Sequence, residues 1–141
     1  MLDLLEDLEK AVLSENLFET YEIVEKIKKE QEPFEYVAPM FRLMEENPEL
    51  DFGLPGPMVD FIESSYEKGY KNLLLESVRR KPMGYTIWMI NRIMNISDLR
   101  DKQMYMDILR ETLDRNDIDE VLRDRINEYI DYQKQKDSHL K

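Results

Sequence analysis

The sequence predicts an all-α protein of about eight helices arranged in antiparallel hairpins. Three observations carry this. Only four Gly and six Pro interrupt 141 residues, and the rest is rich in Leu, Glu, Lys, Arg and Met, all good helix formers. Apolar residues recur at spacings of three and four, the period of one helix face. No stretch shows the strict apolar–polar alternation of a half-buried strand. The length suits one domain over residues 1–141 with an ordinary hydrophobic core.

The elements follow in order. Leu5, Leu8 and Val12 mark a first short helix. Ser14 is the expected N-cap of a second, with Leu17, Tyr21, Val24 and Ile27 on its inner face. Pro33 opens a third, with Phe34, Val37, Phe41 and Met44 inward, and Pro39 is expected to kink or divide it. Asn47-Pro48 ends that run. The segment DFGLPGP, 51–57, holds two Gly and two Pro in seven residues and reads as a turn-rich loop.

Pro57 suits the first turn of a fourth helix, with Met58, Ile62 and Tyr66 on one face and Gly69 as the closing cap. A fifth carries Leu74, Leu75 and Val78 and stops before Pro82. The sixth starts near Gly84 with Ile87, Ile90 and Met94 inward. Ser97 or Asp98 caps a seventh, whose face is Tyr105, Ile108, Leu109 and Thr112. Asp117 caps an eighth, carrying Val121, Leu122, Ile126, Tyr129 and Ile130. From about Lys134 the tail is polar and expected to fray. A short internal repeat supports stacked hairpins: at an offset of 35, Leu73, Leu74 and Val78 fall on Ile108, Leu109 and Leu113. That spacing is near the length of two-helix solenoid units. A compact helical bundle is the alternative.

Charge narrows the function. With 31 acids against 20 bases, the net charge is −11 and the pI about 4.6. Such a balance argues against gripping nucleic acid through phosphates and against docking on anionic membranes. No 18-residue apolar run is present, and the acidic first ten residues are unlike a signal peptide. A soluble, cytoplasmic protein is expected. The charge is uneven: residues 1–50 hold 14 acids and 5 bases, net −9, whereas 51–95 are near neutral and contain Trp88 and all four glycines.

Catalytic chemistry finds little purchase. The absence of cysteine removes disulfides, thiolate zinc sites and cysteine nucleophiles. The one histidine, His139, sits three residues from the end, a poor place for a triad. No P-loop, dinucleotide fingerprint or HExxH is present. The run Asp114, Asn116, Asp117, Asp119, Glu120 resembles a calcium loop but puts Ile118 at a ligand position and lacks the central Gly. Adjacent acids such as Glu45-Glu46 are expected on a solvated face. No catalytic residue, metal or cofactor is assigned.

Binding residues are easier to name. Tyr85, Trp88 and Arg92 fall at i, i+3 and i+7 on the sixth helix, with Asn91 beside them. Trp, Tyr and Arg are the residue types enriched at interface hot spots. The plainer reading packs Trp88 between hairpins. Arg79-Arg80-Lys81 just before it forms a basic cluster at a helix C-terminus, where cations favour the dipole anyway. Asp60 and Glu63 follow the Gly-Pro loop on the polar side of the fourth helix and complete the candidate surface.

Three segments carry a family resemblance: DFGLPGPMV at 51–59, GYKNLLLESVRRKP at 69–82 and TIWMINRIMN at 86–95. Together, over about a third of the chain, they resemble small all-helical immunity proteins encoded beside bacterial polymorphic or contact-dependent toxins. The resemblance implies a HEAT-like, right-handed stack of hairpins. It also implies a binding function: holding a cognate toxin domain and blocking its active site. An acidic protein fits a basic partner, nucleases being one such toxin class. Two rivals are a helical-repeat adaptor for an endogenous protein or peptide, and an enzyme using clustered carboxylates with a divalent metal.

Overall fold

The computed structural model describes residues 2–138. Among these there is no strand, and the fold is all-α. The helices are α1 (Leu5–Leu13), α2 (Leu17–Ile27), α3 (Val37–Glu46), α4 (Pro57–Ser64), α5 (Lys71–Arg80), α6 (Gly84–Met94), α7 (Leu99–Leu113) and α8 (Glu120–Ser138). Short 3-10 turns, Pro33–Tyr36 and Tyr66–Lys68, precede α3 and follow α4. No helix among the described residues is long and apolar enough to cross a membrane. The chain gathers into two compact units, one running through Leu73 and one beginning at Leu74, so the boundary falls inside α5.

In the first unit α2 packs against both α1 and α4. Its core is built from Leu8 and Val12 of α1, Ile23, Val24 and Ile27 of α2, Met40, Phe41 and Met44 of α3, and Met58, Val59 and Ile62 of α4. Tyr36 is buried among them, and its hydroxyl accepts from the Leu4 N–H at 3.1 Å and donates to Glu30 Oε1 at 3.2 Å. Pro39 does divide the third run. The chain is 3-10 through Tyr36 and α-helical from Val37, which leaves Pro39 in the first turn of α3, where a missing N–H costs no helical bond. Glu45, expected on a solvated face, is buried here, whereas Glu46 is exposed.

Two expectations for α2 fail. Its N-cap is Asn16, whose Oδ1 accepts from the Glu19 N–H at 3.0 Å. Ser14 instead closes α1, its Oγ donating to the Ala11 carbonyl. The inner face is rotated as well: Thr20, Ile23, Val24 and Ile27 are buried, while Leu17 and Tyr21 are exposed beside Phe18. Tyr66, expected inward, is also exposed and meets the Tyr70 ring edge-on at 6.4 Å. Gly69 does close this region in a left-handed conformation, φ 81°, which glycine adopts without steric cost.

In the second unit α6, α7 and α8 pack on one another. Ile87, Ile90, Ile93, Tyr105, Ile108, Leu109, Ile126 and Ile130 fill the core. Of the repeat pairs, Leu74 and Leu109 are both fully buried, whereas Val78 is buried and Leu113 only half so. Asp98 caps α7 by accepting from the Asp101 N–H at 2.9 Å. The cap of α8 is Asp119, which accepts from Leu122 N–H at 2.8 Å, and not Asp117, which pairs with Arg115. Val121, expected inward, is exposed, and Gln133 takes a core position instead. The helix runs to Ser138, past Lys134 where fraying was expected. His139 lies outside the described residues.

Candidate partner-binding site

The candidate residues fall on two helices, one in each unit. Asp60 and Glu63 belong to α4. The loop that delivers them is held by two glycines at positive φ, Gly53 at 104° and Gly56 at 90°. Asp51 Oδ1 accepts from the Gly53 N–H at 2.8 Å, tightening the turn. A Cβ on Gly56 would stand 1.6 Å from the Phe52 carbonyl oxygen, so only glycine fits there. The loop buries Phe52, exposes Leu54, and hands the chain to Pro57 at the first position of α4. Asp60 then sits exposed in the first turn, where the helix dipole favours an anion, and Glu63 is half-buried one turn on.

Tyr85, Trp88, Asn91 and Arg92 belong to α6. Pro82 ends α5, Met83 is extended at the N-cap, and the Thr86 hydroxyl donates back to the Met83 carbonyl at 3.2 Å. Burial of Ile87, Ile90 and Met94 fixes the rotation of α6. The side bearing Tyr85 and Trp88 is thereby left half-buried, with Arg92 exposed. The Arg92 guanidinium lies 5.4 Å from the Trp88 ring centroid, a cation–π contact that orders both side chains. Trp88 is thus neither sealed in the core nor loose on the surface.

Asn91 also joins two helices. Its Oδ1 accepts from Gln133 Nε2 at 2.8 Å, joining α6 to α8. Asn95 Oδ1 accepts from the same nitrogen at 3.1 Å and from Lys136 Nζ at 2.9 Å. Next to them the buried Lys102 ammonium of α7 pairs with Asp137 of α8. These polar groups fasten the second unit from within. Sequence inspection could not pair Asn91 with a residue 42 positions away.

The basic cluster and the calcium-like run also resolve. Arg79, Arg80 and Lys81 are exposed at the end of α5. Arg115 Nη1 donates to the Arg79 carbonyl at 2.7 Å, while its Nε and Nη2 clasp Asp117 in a two-bonded fork. That guanidinium holds the Asp117 carboxyl below the usual carboxylate range. Arg123 likewise donates to the carbonyls of Leu113, the last residue of α7, and of Arg115 just after it. Two arginines therefore satisfy carbonyls that a helix end leaves open. Among the described residues, no group of three His, Asp or Glu is placed to hold a metal.

The electrostatics divide along the same boundary. Residues 1–73 hold 18 acids and 7 bases, net −11, and residues 74–141 hold 13 of each, net zero. The first unit thus carries the whole net charge. Crowding shows at Glu35, where a carboxyl–carboxylate hydrogen bond with Glu32 and its negative charge raise the pKa. The two residues border a cleft of about 640 Å³ with Lys28, Phe34, Phe61 and Lys68, which sequence reading did not foresee. No protein family, curated protein or solved structure matches the chain.

Proposed function

We propose that this chain is an immunity protein: it binds a cognate bacterial toxin domain in the cytoplasm and neutralises it by occupying the toxin's active site. It acts by binding, with no catalysis of its own. The observation that carries this reading is the concentration of the entire −11 charge in the first unit. A field of one sign on one part of a molecule raises the rate at which an oppositely charged partner arrives, by about ten- to a thousandfold, and matters less for final affinity. A toxin that works on an anionic substrate such as nucleic acid needs a basic cleft, and an acidic inhibitor fills that cleft by imitating the substrate's charge.

Affinity needs desolvated anchors as well. Trp88 with Arg92 stacked on it, and Tyr85 one turn earlier, are of the residue types that dominate interface energetics. Asp60 and Glu63 on α4 add charge. Asn91 is withdrawn from the contact set, because its side chain is committed to Gln133.

The test is co-expression with the toxin domain encoded beside this gene. Restored growth, a co-purifying complex and an association rate that falls steeply with salt are expected. A neighbouring product that is not toxic, or toxicity that this chain does not relieve, would overturn the reading.

A further inference from the structure

The corner between α1 and α2 exposes more apolar surface than folding requires. Phe18 is 76% exposed, Tyr21 52%, Leu13 51% and Leu17 39%. They are not scattered. Leu17 and Tyr21 stand at i and i+4, and Phe18 and Tyr21 at i and i+3, so the three share one side of α2. Leu13 ends α1 just across the Ser14–Asn16 turn. Isolated exposed apolar residues need no explanation, but a contiguous set containing two aromatics marks a contact surface.

This face cannot roll inward to hide. Thr20, Ile23, Val24 and Ile27 already occupy the inner side of α2 against α1 and α4. Asn16 fixes where the helix starts. The patch is held out by the same packing that holds the first unit together.

Its surroundings select the occupant. Glu22 lies beside Phe18 on the helix surface, and its carboxylate forms no ion pair or hydrogen bond among the described residues. α2 carries one base, Lys26, in its last turn. A second copy of this chain would bring like charge to like charge, and an anionic membrane would be repelled in the same way. A segment that interleaves Lys or Arg with apolar residues satisfies both parts of the surface.

We propose that Leu13, Leu17, Phe18 and Tyr21, bordered by Glu22, form a docking surface for a basic amphipathic segment of a partner protein. That the partner is a toxin domain rests on the preceding section; the chemistry of the surface does not.

The test titrates the full chain with a labelled helical peptide of about 14 residues patterned from Leu and Lys. Its counterpart with Glu in place of Lys is run in parallel, at about 50 and about 300 mM salt. The expected result is salt-sensitive binding of the Lys peptide alone. Phe18→Ala/Tyr21→Ala should weaken it about tenfold or more, and Glu22→Gln should lower its salt dependence. Leu99→Ala/Val121→Ala, which removes exposed apolar groups of the second unit, should leave it unchanged. The substituted α2 positions are all solvent-facing, and circular dichroism is to be run on each variant to check that its helices are retained.

No binding of the Lys peptide, equal binding of the Glu peptide, or equal loss in the second-unit variant overturns the proposal. So does dimerisation in sedimentation, or flotation with anionic vesicles, that Phe18→Ala/Tyr21→Ala abolishes. If the neighbouring toxin domain binds this variant as well as it binds the parent chain, the surface is wrong and the immunity reading stands. If the peptide behaves as expected and growth is not rescued, the surface stands and the immunity reading falls.

Discussion

The two units differ in charge balance, and the second ties its helices together with several charged side chains. In the second, 13 acids face 13 bases, and several join helices: Lys102 to Asp137, Arg115 to the Arg79 carbonyl, and Arg123 to the Leu113 carbonyl at the end of α7. In the first, 18 acids face 7 bases. The ion pairs Lys10–Glu6 and Lys28–Glu25 lie on the outer surface of single helices, where each is worth about 0.3–0.5 kcal/mol. The lesson is that charge held inside a unit stabilises it, while charge left unmatched is available to another molecule.

Packing gives the largest effects by which this contrast can be tested. Ile126 is fully buried in the second unit, and Ile126→Ala should cost about 2–5 kcal/mol in denaturant unfolding. Hydrogen exchange should accelerate first in α6, α7 and α8. Uniform acceleration through α1–α4 would show that the two units unfold as one.

Glycine provides the next comparison. Gly56→Ala drives a Cβ into the Phe52 carbonyl at positive φ and should lose more than about 2 kcal/mol. Gly84→Ala, in the second unit, meets nothing within 4 Å at the start of α6. It should be neutral or stabilising by up to about 1 kcal/mol. Thermal melts of the two variants should move in clearly different degrees.

Asn91→Ala should cost about 0.5–1.5 kcal/mol, because Gln133 Nε2 loses its shortest acceptor but keeps the Asn91 carbonyl and Asn95 Oδ1. Partner affinity should be unchanged, as calorimetry can show. A variant with intact stability and weakened binding would return Asn91 to the contact surface.

The smallest expected effect is a difference of sign. Asp117 titrates below its ordinary value because of Arg115. Its contribution to the second unit is present above the unfolded-state pKa and is lost as pH falls through the folded one. Glu35 titrates above its ordinary value because of Glu32. Its contribution to the first unit is full below the unfolded-state pKa and is lost as pH rises through the folded one. Mild acid should therefore loosen one unit locally and relieve the other. Carboxyl NMR titration would read both midpoints, and shifts of the same sign would contradict this assignment.

Much of the fold was legible because its signals are local. Helical spacing, Pro57 at a helix start, Gly69 at a left-handed close and Asp98 as a cap all depend on a few neighbouring residues. Rotation was harder. In α2 the stripes Leu17–Tyr21–Val24 and Thr20–Ile23–Ile27 both have helical period, and the choice between them is made by α1 and α4. Asp117 and Asp119 both stand just before α8, and Arg115 takes the first, leaving the second to cap. At the candidate site, the Trp88–Arg92 pair follows from spacing on one helix. The commitment of Asn91 needed a partner on another, and the α2 patch stayed hidden because Leu17 and Tyr21 fit the helical period of an inner face.

The hydrogen bonds that tie distant parts of the chain have a further consequence. Tyr36 reaches Leu4 over 32 residues, Lys102 reaches Asp137 over 35, Arg115 reaches Arg79 over 36 and Gln133 reaches Asn91 over 42. Each closes a loop of similar, moderate size, and the entropy lost on closing such a loop rises only with the logarithm of its length. The order in which these loops close is thus not imposed by any one long-range contact. Refolding should be rapid, on the order of milliseconds or faster, as for other chains with mostly local contacts. On the proposed reading, the chain would then be ready to bind its partner soon after synthesis.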